Sequence, residues 1–471
     1  MIGANRVLVV GGGITGLTAA WEAALSGASV TLVEAGPVLG GKLRTEHVDG
    51  LLVEHGPDSF VAYRPAALQL IGELGLTDQV IEAEPRREVS LRVDGKLQPI
   101  PAGMGMVLPT RLGPFATTPI LSWRHKARAG LDLVLPRRLG AEDTSIGEFL
   151  RARLGNGVVD RFAEPLVGGI YGAGVDRLSL DAVLPSLRES EKSHRSLMLA
   201  SLEQGRAARR AAGSGGPRAP FRTLRGGMGA LVDKLAEELA ALGAEVRTGV
   251  AVTSLVPARP GGTGGTAMLA DDDLVSADAI VLAVGAPTMA ALLDGSAPSA
   301  VDALRAIPQG STTVVTLALP AAGFVSVPTS QGWLEAGAAP ISGVTISSNK
   351  WAGRAPDDVV LLRAFVPERL GPLARHPEDE ILHVVTGHVA DVLGFTGMPL
   401  LTRVTRWVDV MPSYTVGHLQ RVAAVDAAAG RLPGWFVAGS ALHGVGVPEC
   451  VADGRRAGAA AARSLGVTTA G

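Results

Sequence analysis

Four consecutive apolar residues, Val7-Leu8-Val9-Val10, run directly into Gly11-Gly12-Gly13-Ile14-Thr15-Gly16. A short apolar run stopped by glycine reads as a buried strand. Leu17 to Ser26 follows helical spacing and stops at Gly27, Val30-Thr31-Leu32-Val33 is a second strand, and Glu34 closes it. Alternating runs predict hairpins over Glu46–Gly56 and Val89–Leu97, turning at Asp49-Gly50 and Asp94-Gly95. Between them, Pro65 to Leu76 reads as a helix. Proline and glycine are frequent from Pro99 to Gly140, with helical pieces over Pro119–Leu135. Thr144 is expected to cap a helix over Ser145–Leu154, with Glu148 in its early turns. Asn156–Tyr171 and Asp181–Leu202 also read as helical. Gly205–Pro220 is basic and low in complexity, and reads as a mobile loop. A helix over Ala230–Leu242 ends at Gly243. Strands follow at Glu245–Thr248, Val252–Val256, Ala279–Ala283, Val314–Leu319, Gly343–Ser347 and Val359–Val366. A helix over Glu378–Leu393, a strand at Trp435–Ala438 and a helix over Val451–Leu465 complete the pattern.

The opening pattern is strand, glycine turn, helix, strand, acid, which is the context a dinucleotide-binding turn requires. Gly11 permits the tight turn, Gly13 lets backbone N–H groups approach a pyrophosphate, and Gly16 lets the helix pack on the strand. Ile14 and Thr15 open the helix, whose N-terminal dipole favours an anion. Glu34, followed by Ala35, would accept hydrogen bonds from a ribose. Past it come Gly40-Gly41, then Lys42, Leu43 and Arg44. Two adjacent glycines there would let backbone lie against a second part of the cofactor, which favours FAD over NAD. Near the C-terminus, Phe436-Val437-Ala438-Gly439-Ser440 leads to Gly444-Val445-Gly446-Val447-Pro448 and a helix. Its backbone donors could stabilise charge on a reduced flavin ring.

Bulk properties narrow the choice. The chain has 471 residues, enough for two or three domains. Its net charge of −2 gives no overall attraction to nucleic acid. One cysteine, Cys450, leaves no intramolecular disulfide, CxxC pair or cysteine-rich metal site. The N-terminus enters a core strand without a secretory pattern, and no apolar run reaches the ~18–20 residues a membrane-spanning helix needs. A cytoplasmic protein, with peripheral membrane contact left open, is expected.

Three further stretches narrow the family. They are Gly56-Pro57-Asp58-Ser59-Phe60; the block Ser347-Ser348-Asn349-Lys350-Trp351 with Gly353-Arg354-Ala355-Pro356 and Leu361-Leu362-Arg363-Ala364-Phe365; and Trp407, Pro412, Tyr414, Gly417 and His418 in a W-x4-P-x-Y-x2-GH pattern. With the glycine turn, Glu164-Pro165, Gly168–Gly172 and Leu178-Ser179, they resemble the bacterial coproporphyrinogen III and protoporphyrinogen oxidases. These are oxygen-dependent FAD flavoproteins of haem synthesis, within the amine oxidase superfamily. The resemblance implies an α/β fold: an FAD-binding Rossmann-like domain interrupted by a mixed-sheet substrate domain and a mostly helical domain. The FAD-binding segments would be 1–80, 221–290 and 421–471. Residues 81–220 would form a helical substrate-binding part, open to membrane contact, and 291–420 a substrate-binding sheet. To Gly11, Gly13, Ile14, Thr15, Gly16, Glu34, Ala35, Gly40, Gly41, Lys42 and Leu43 the resemblance adds Gly56, Pro57, Asp58, Ser59, Val252, Trp407, Gly439, Ser440, Gly446, Val447 and Pro448 as cofactor-binding candidates. Arg64, Ile170, Tyr171 and Gly172 match positions that meet the substrate. Family members often carry an aromatic where Ala441-Leu442 stands here, and Cys450 is not in the context of a flavin-linking cysteine.

The resemblance implies a six-electron oxidation of coproporphyrinogen III to coproporphyrin III, with three molecular oxygen giving three hydrogen peroxide. Protoporphyrinogen IX is the alternative substrate. No acid/base dyad is expected, because the cofactor carries the chemistry, although His418 and His443 are conceivable proton acceptors. Propionates call for cationic anchors. Arg64 is one candidate. The strip Lys96, Arg111, Arg124, Lys126 and Arg128, with Trp123 among them and no acid from Gly95 to Leu131, could meet propionates or an anionic membrane. Product transfer to a ferrochelatase would follow. A flavin amine oxidase, a carotenoid desaturase and a non-enzymatic binding protein of the same fold are the rivals. Aromatics at 4% make an amine oxidase's aromatic cage hard to build.

Overall fold

The structure is a computed structural model that describes residues 5–84, 88–212 and 219–467. A five-stranded parallel sheet has the order Glu245–Thr248, Ser29–Glu34, Arg6–Val10, Ala279–Leu282, Trp435–Val437. The run Val7–Val10 belongs in its middle because side chains alternate: Val7 and Val9 enter one core, Leu8 and Val10 the other. A parallel strand covered on both faces needs such continuous apolarity. Helices Ile14–Leu25, Ala66–Glu73, Gly229–Ala241 and Val447–Ser464 cover the first face. Ala286–Leu292, Pro298–Arg305 and His418–Ala429 cover the second, with a three-stranded antiparallel sheet of Val252–Pro257, Gly265–Leu269 and Leu274–Ala277. The first and last helices lie backbone to backbone: a side chain at Gly454 would strike the Thr15 carbonyl, and one at Gly458 the Ala19 carbonyl.

A seven-stranded sheet has the order Leu401–Pro412, Gln309–Pro320, Val359–Pro367, Gly343–Ile346, Gly332–Ala336, Val89–Val93, Lys96–Pro99. All its pairs are antiparallel except Gly332–Ala336 with Val89–Val93. The hairpin turns hold Asp49 and Asp94 at φ +48° and +49°, the left-handed conformation that Asp-Gly turns supply. Helix Glu378–Leu393 packs on this sheet through Ile381, Val385 and Val389. A separate core around Phe149, Phe162 and Leu180 joins the hairpin strand Val89–Val93 to the helical middle of the chain.

Several expectations shift. Ser145, not Thr144, caps Ile146–Leu154: its hydroxyl accepts the Glu148 N–H at 3.1 Å, while Thr144 donates to the Glu148 carboxylate. The expected helix Asp181–Leu202 is three helices, Leu180–Val183, Pro185–Ser193 and Leu197–Ala212, the second started by Pro185. That last helix overturns the loop expected from Gly205, since Arg206, Arg209 and Arg210 lie on it; 213–218 lie outside the described residues. Leu, Ala, Glu, Gln and Arg are strong helix formers, so composition alone misled. Pro119 lies outside the helix Trp123–Gly130, and the final helix begins at Val447 rather than Val451.

Candidate active site

Gly11 turns at φ +107°, and a side chain at Gly16 would overlap its carbonyl. Around Gly13 the situation reverses, because a Cβ there would meet nothing within 4 Å. Gly13 also caps the helix Ile14–Leu25 without any side-chain hydrogen bond, and no acid stands in its first turn. The turn therefore leaves an open cradle beside a helix N-terminus that no side chain caps, the arrangement a pyrophosphate fits. Glu34 is oriented by the backbone: its two carboxylate oxygens accept N–H of Gly12 at 2.6 Å and of Gly36 at 2.7 Å. Val250 N–H donates to the Glu34 carbonyl at 3.2 Å, which brings the strand opening at Val252 beside Glu34 and Ala35.

The glycine doublet lies against the first turn. Gly40 N–H donates to the Gly12 carbonyl at 2.8 Å, a side chain at Gly40 would collide with the Leu43 carbonyl at 2.5 Å, and one at Gly41 would lie 3.2 Å from the Gly13 Cα. The doublet thus packs on the first turn, beside the Gly13 cradle. Leu43 is buried in the core below. Lys42 is largely buried, and burial lowers its pKa; its ammonium has no ion-pair or hydrogen-bond partner among the described residues.

Gly56 fits against the Lys42 carbonyl, where a side chain would collide. The loop from Glu54 to Ser59 is clamped by distant residues. Arg363 donates to the carbonyls of Gly56 at 2.6 Å and Glu54 at 3.2 Å and pairs with Asp58 at 3.0 Å. Lys350 lies 3.2 Å from both Asp58 oxygens, and Trp351 Nε1 donates to Asp58 at 3.1 Å. Burial would raise the Asp58 pKa, but Lys350 and Arg363 overcome it and hold the carboxyl well below the usual carboxylate range. Trp407 Nε1 donates to the His55 carbonyl at 2.8 Å. Asp58 is therefore spent on internal cations, and it shapes the loop that carries Gly56, Pro57 and Ser59.

The C-terminal segment meets the same region. Gly446 caps the helix Val447–Ser464 without a side-chain bond, and Pro448 stands in its first turn. Tyr414 donates to the Ser440 carbonyl and accepts the Gly444 N–H, both at 2.7 Å. Asp453 accepts the Gly439 N–H at 2.7 Å. His443 bridges Asp453 at 3.0 Å and Asp426 at 3.2 Å, and these bonds raise its pKa to about 9. It is an imidazolium at neutral pH and no proton acceptor. His418 stacks on Tyr414 with centroids 3.7 Å apart, and burial lowers its pKa to about 4. Cys450 is buried in the core, with burial raising its thiol to about 11.

Two of the substrate candidates come together here, and a third borders them. Arg64 pairs with Glu449 at 2.5 Å. The Tyr171 ring lies 6.3 Å from that of Tyr414; burial raises its phenol pKa, with Arg64 and Glu449 also acting on it. Gly172, at φ +65°, ends a helical run that opens at Asn156–Val158 and is a π-helix over Val159–Gly168. Glu164 braces that end by accepting the Val175 N–H at 2.9 Å and pairing with Arg369 at 2.7 Å. Ile170 is helical, but its side chain lies outside the described residues. The basic strip does not act as one unit. Arg128 donates to the carbonyls of Arg151, Ala152 and Arg153 at the end of a helix, whereas Trp123 and Arg124 face outward. Glu449 and Asp453 escaped the sequence reading; the available signal was an acid in the first turn after a glycine pair.

The protein-family model described as flavin containing amine oxidoreductase matches residues 14–462. The chain belongs to that family. Within it, the chain is 55% identical to the coproporphyrinogen III oxidase of Propionibacterium freudenreichii subsp. freudenreichii, over 96% of this chain and 89% of that one. It is 34% identical to the coproporphyrinogen III oxidase of Bacillus subtilis, over 97% of each. A crystal structure from Exiguobacterium sp. 255-15, provisionally named a protoporphyrinogen oxidase, superposes with a TM-score of 0.85 at 31% identity, covering 98% of this chain and 99% of that one. Flavin is the family's cofactor, and the helices starting at Ile14 and Val447 both begin without a side-chain cap.

Proposed function

We propose that this protein is an FAD-dependent oxidase that converts coproporphyrinogen III to coproporphyrin III. The observation that carries the reading is the meeting of Arg64 and Tyr171 with the C-terminal glycine segment, in a chain 55% identical to a coproporphyrinogen III oxidase. FAD supplies two-electron acceptance and reoxidation by molecular oxygen, giving three hydrogen peroxide per porphyrin. The open cradle at Gly13 and the N-terminus at Ile14 and Thr15 would hold its pyrophosphate, and Glu34 with Ala35 and Val252 its ribose end. The Gly56–Ser59 loop and Gly439, Ser440, Gly446, Val447 and Pro448 would enclose the flavin end, with Lys42 and Trp407 beside them. Arg64 would hold a propionate, with Tyr171 and Gly172 along the macrocycle. Residues 81–220 and 291–420 would then act as the substrate-binding parts. Neither histidine serves as a base here, since His443 is already protonated and His418 resists protonation.

Protoporphyrinogen IX is the second reading, favoured by the name of the Exiguobacterium neighbour. Among the described residues no helix is long and apolar enough to cross a membrane. Peripheral contact would instead use the exposed Trp123, Leu131 and Val134 beside Arg124 and Lys126. Hand-over of the product to a ferrochelatase completes the proposal. The deciding experiment records the flavin spectrum of the purified protein and then compares both porphyrinogens by porphyrin fluorescence. Faster turnover of coproporphyrinogen supports the reading; a flavin-free protein, or oxidation of amines alone, refutes it.

A further inference from the structure

We infer that Glu449 is a built-in carboxylate that holds Arg64 between turnovers, so that a substrate propionate binds by exchanging with it. The inference rests on the porphyrinogen reading and names a residue that sets its carboxylate selectivity.

The two residues come from opposite ends of the chain. Arg64 follows the short strand Phe60–Val61, and Glu449 stands in the first turn of the last helix. The guanidinium reaches the carboxylate at 2.5 Å, yet the two sides differ: the Arg64 side chain is 54% exposed and that of Glu449 only 14%. The cation can follow an entering ligand while the carboxylate stays. Glu449 lies packed against the glycine turn before it. A side chain at Gly444 would meet the Glu449 Cβ at 2.5 Å, and one at Gly446 would strike its carboxylate. Glycine at both positions leaves the room in which that carboxylate lies.

Exchange is also electrostatically balanced. When Arg64 turns to a ligand carboxylate, Glu449 remains at the N-terminus of an 18-residue helix with no competing side-chain cap, where the dipole favours an anion. Neither charge is left buried and uncompensated, the condition that makes a broken ion pair costly. An uncharged ligand gains nothing by displacing Glu449, whereas a propionate replaces one carboxylate with another. Tyr171 lies within the field of both charges, so the exchange takes place beside its ring, which lies 6.3 Å from that of Tyr414. Recapture of Arg64 by Glu449 then assists release of the product.

The test titrates flavin-loaded protein with coproporphyrin III, the fluorescent product, in wild type, Glu449→Gln, Glu449→Ala, Arg64→Ala and the Arg64→Ala/Glu449→Gln double variant. Both Glu449 variants should bind about two- to fivefold more tightly, the range a half-exposed ion pair supplies. KM should fall without a rise in kcat. Arg64→Ala should weaken binding, and adding Glu449→Gln to it should change nothing more. The uncharged tetramethyl ester should not distinguish wild type from the Glu449 variants. Weaker or unchanged coproporphyrin binding in both Glu449 variants overturns the exchange, because Glu449 would then only orient Arg64. Loss of flavin from both variants overturns it too, by making Glu449 part of the turn's own stability. If wild type turns over coproporphyrinogen and the Glu449 variants are insensitive, the exchange alone fails. If wild type neither binds nor oxidises the tetrapyrrole, the functional reading has failed first.

Discussion

The Tyr414 hydroxyl donates to the Ser440 carbonyl at 2.7 Å and takes the Gly444 N–H in return, so one phenol closes the C-terminal glycine segment. Tyr414→Phe keeps the stacking on His418 but strands a half-buried carbonyl and N–H. Leaving such groups unpaired costs about 1–3 kcal/mol. The apo-protein's melting temperature should fall, and FAD affinity should fall as well. A thermal melt with and without added FAD checks both, and an unchanged flavin affinity would separate this segment from the cofactor.

Gly13 and Gly16 should respond differently to the same change. Gly13→Ala places a methyl in open space with the backbone at φ −70°, so the apo-protein should melt as wild type does while FAD binding weakens. Gly16→Ala drives a methyl into the Gly11 carbonyl and should destabilise the apo-protein by about 1–3 kcal/mol. Denaturant unfolding of the two apo-variants, with flavin titration of the first, tests the contrast. Equal destabilisation would mean that the cradle at Gly13 is not open.

The two histidines give stability opposite pH slopes. His443 has a folded pKa of about 9 against an ordinary 6.5, so its contribution is complete below pH 6.5 and is lost as pH rises through 9. His418 has a folded pKa of about 4 against 6.5, so it costs stability as pH falls below 6.5 toward 4. His443→Gln should flatten the alkaline decline in melting temperature, and His418→Gln should flatten its part of the acid decline. Melts from acid to alkaline pH read both, and an alkaline slope retained in His443→Gln would contradict the imidazolium assignment.

Asp58 pairs with both Lys350 and Arg363. Asp58→Asn leaves two buried cations without their counter-charge and should cost about 3–5 kcal/mol. Lys350→Met leaves Asp58 paired with Arg363 and should cost less. Urea unfolding ranks the two, and an equal loss would show that the cluster acts through packing rather than charge.

Legibility along the chain followed the strength of local pattern. Residues 6–34 were readable because a doubly covered parallel strand must be apolar throughout and a tight turn needs glycine at fixed offsets. The strand Leu401–Pro412 was not, because most of its positions are only half-buried and Thr, Arg and Asp interrupt the apolar run while Val408 is exposed. Gly205 looked like part of a loop, but it sits in a helix where a side chain would collide with Thr110. In the active site, motif positions such as Gly56, Tyr414 and Gly439 could be named in advance, while their partners could not.

By itself the sequence determined the parallel nucleotide sheet, the glycine turn and the kind of cofactor it admits, because backbone φ and strand burial leave local, periodic traces. Only the tertiary structure decided that Gly40-Gly41 packs on the first turn, that Asp58 answers Lys350 and Arg363, and that Arg64 faces Glu449. The charged pairings join residues hundreds of positions apart. Their strength comes from burial and charge, which no spacing along the chain encodes.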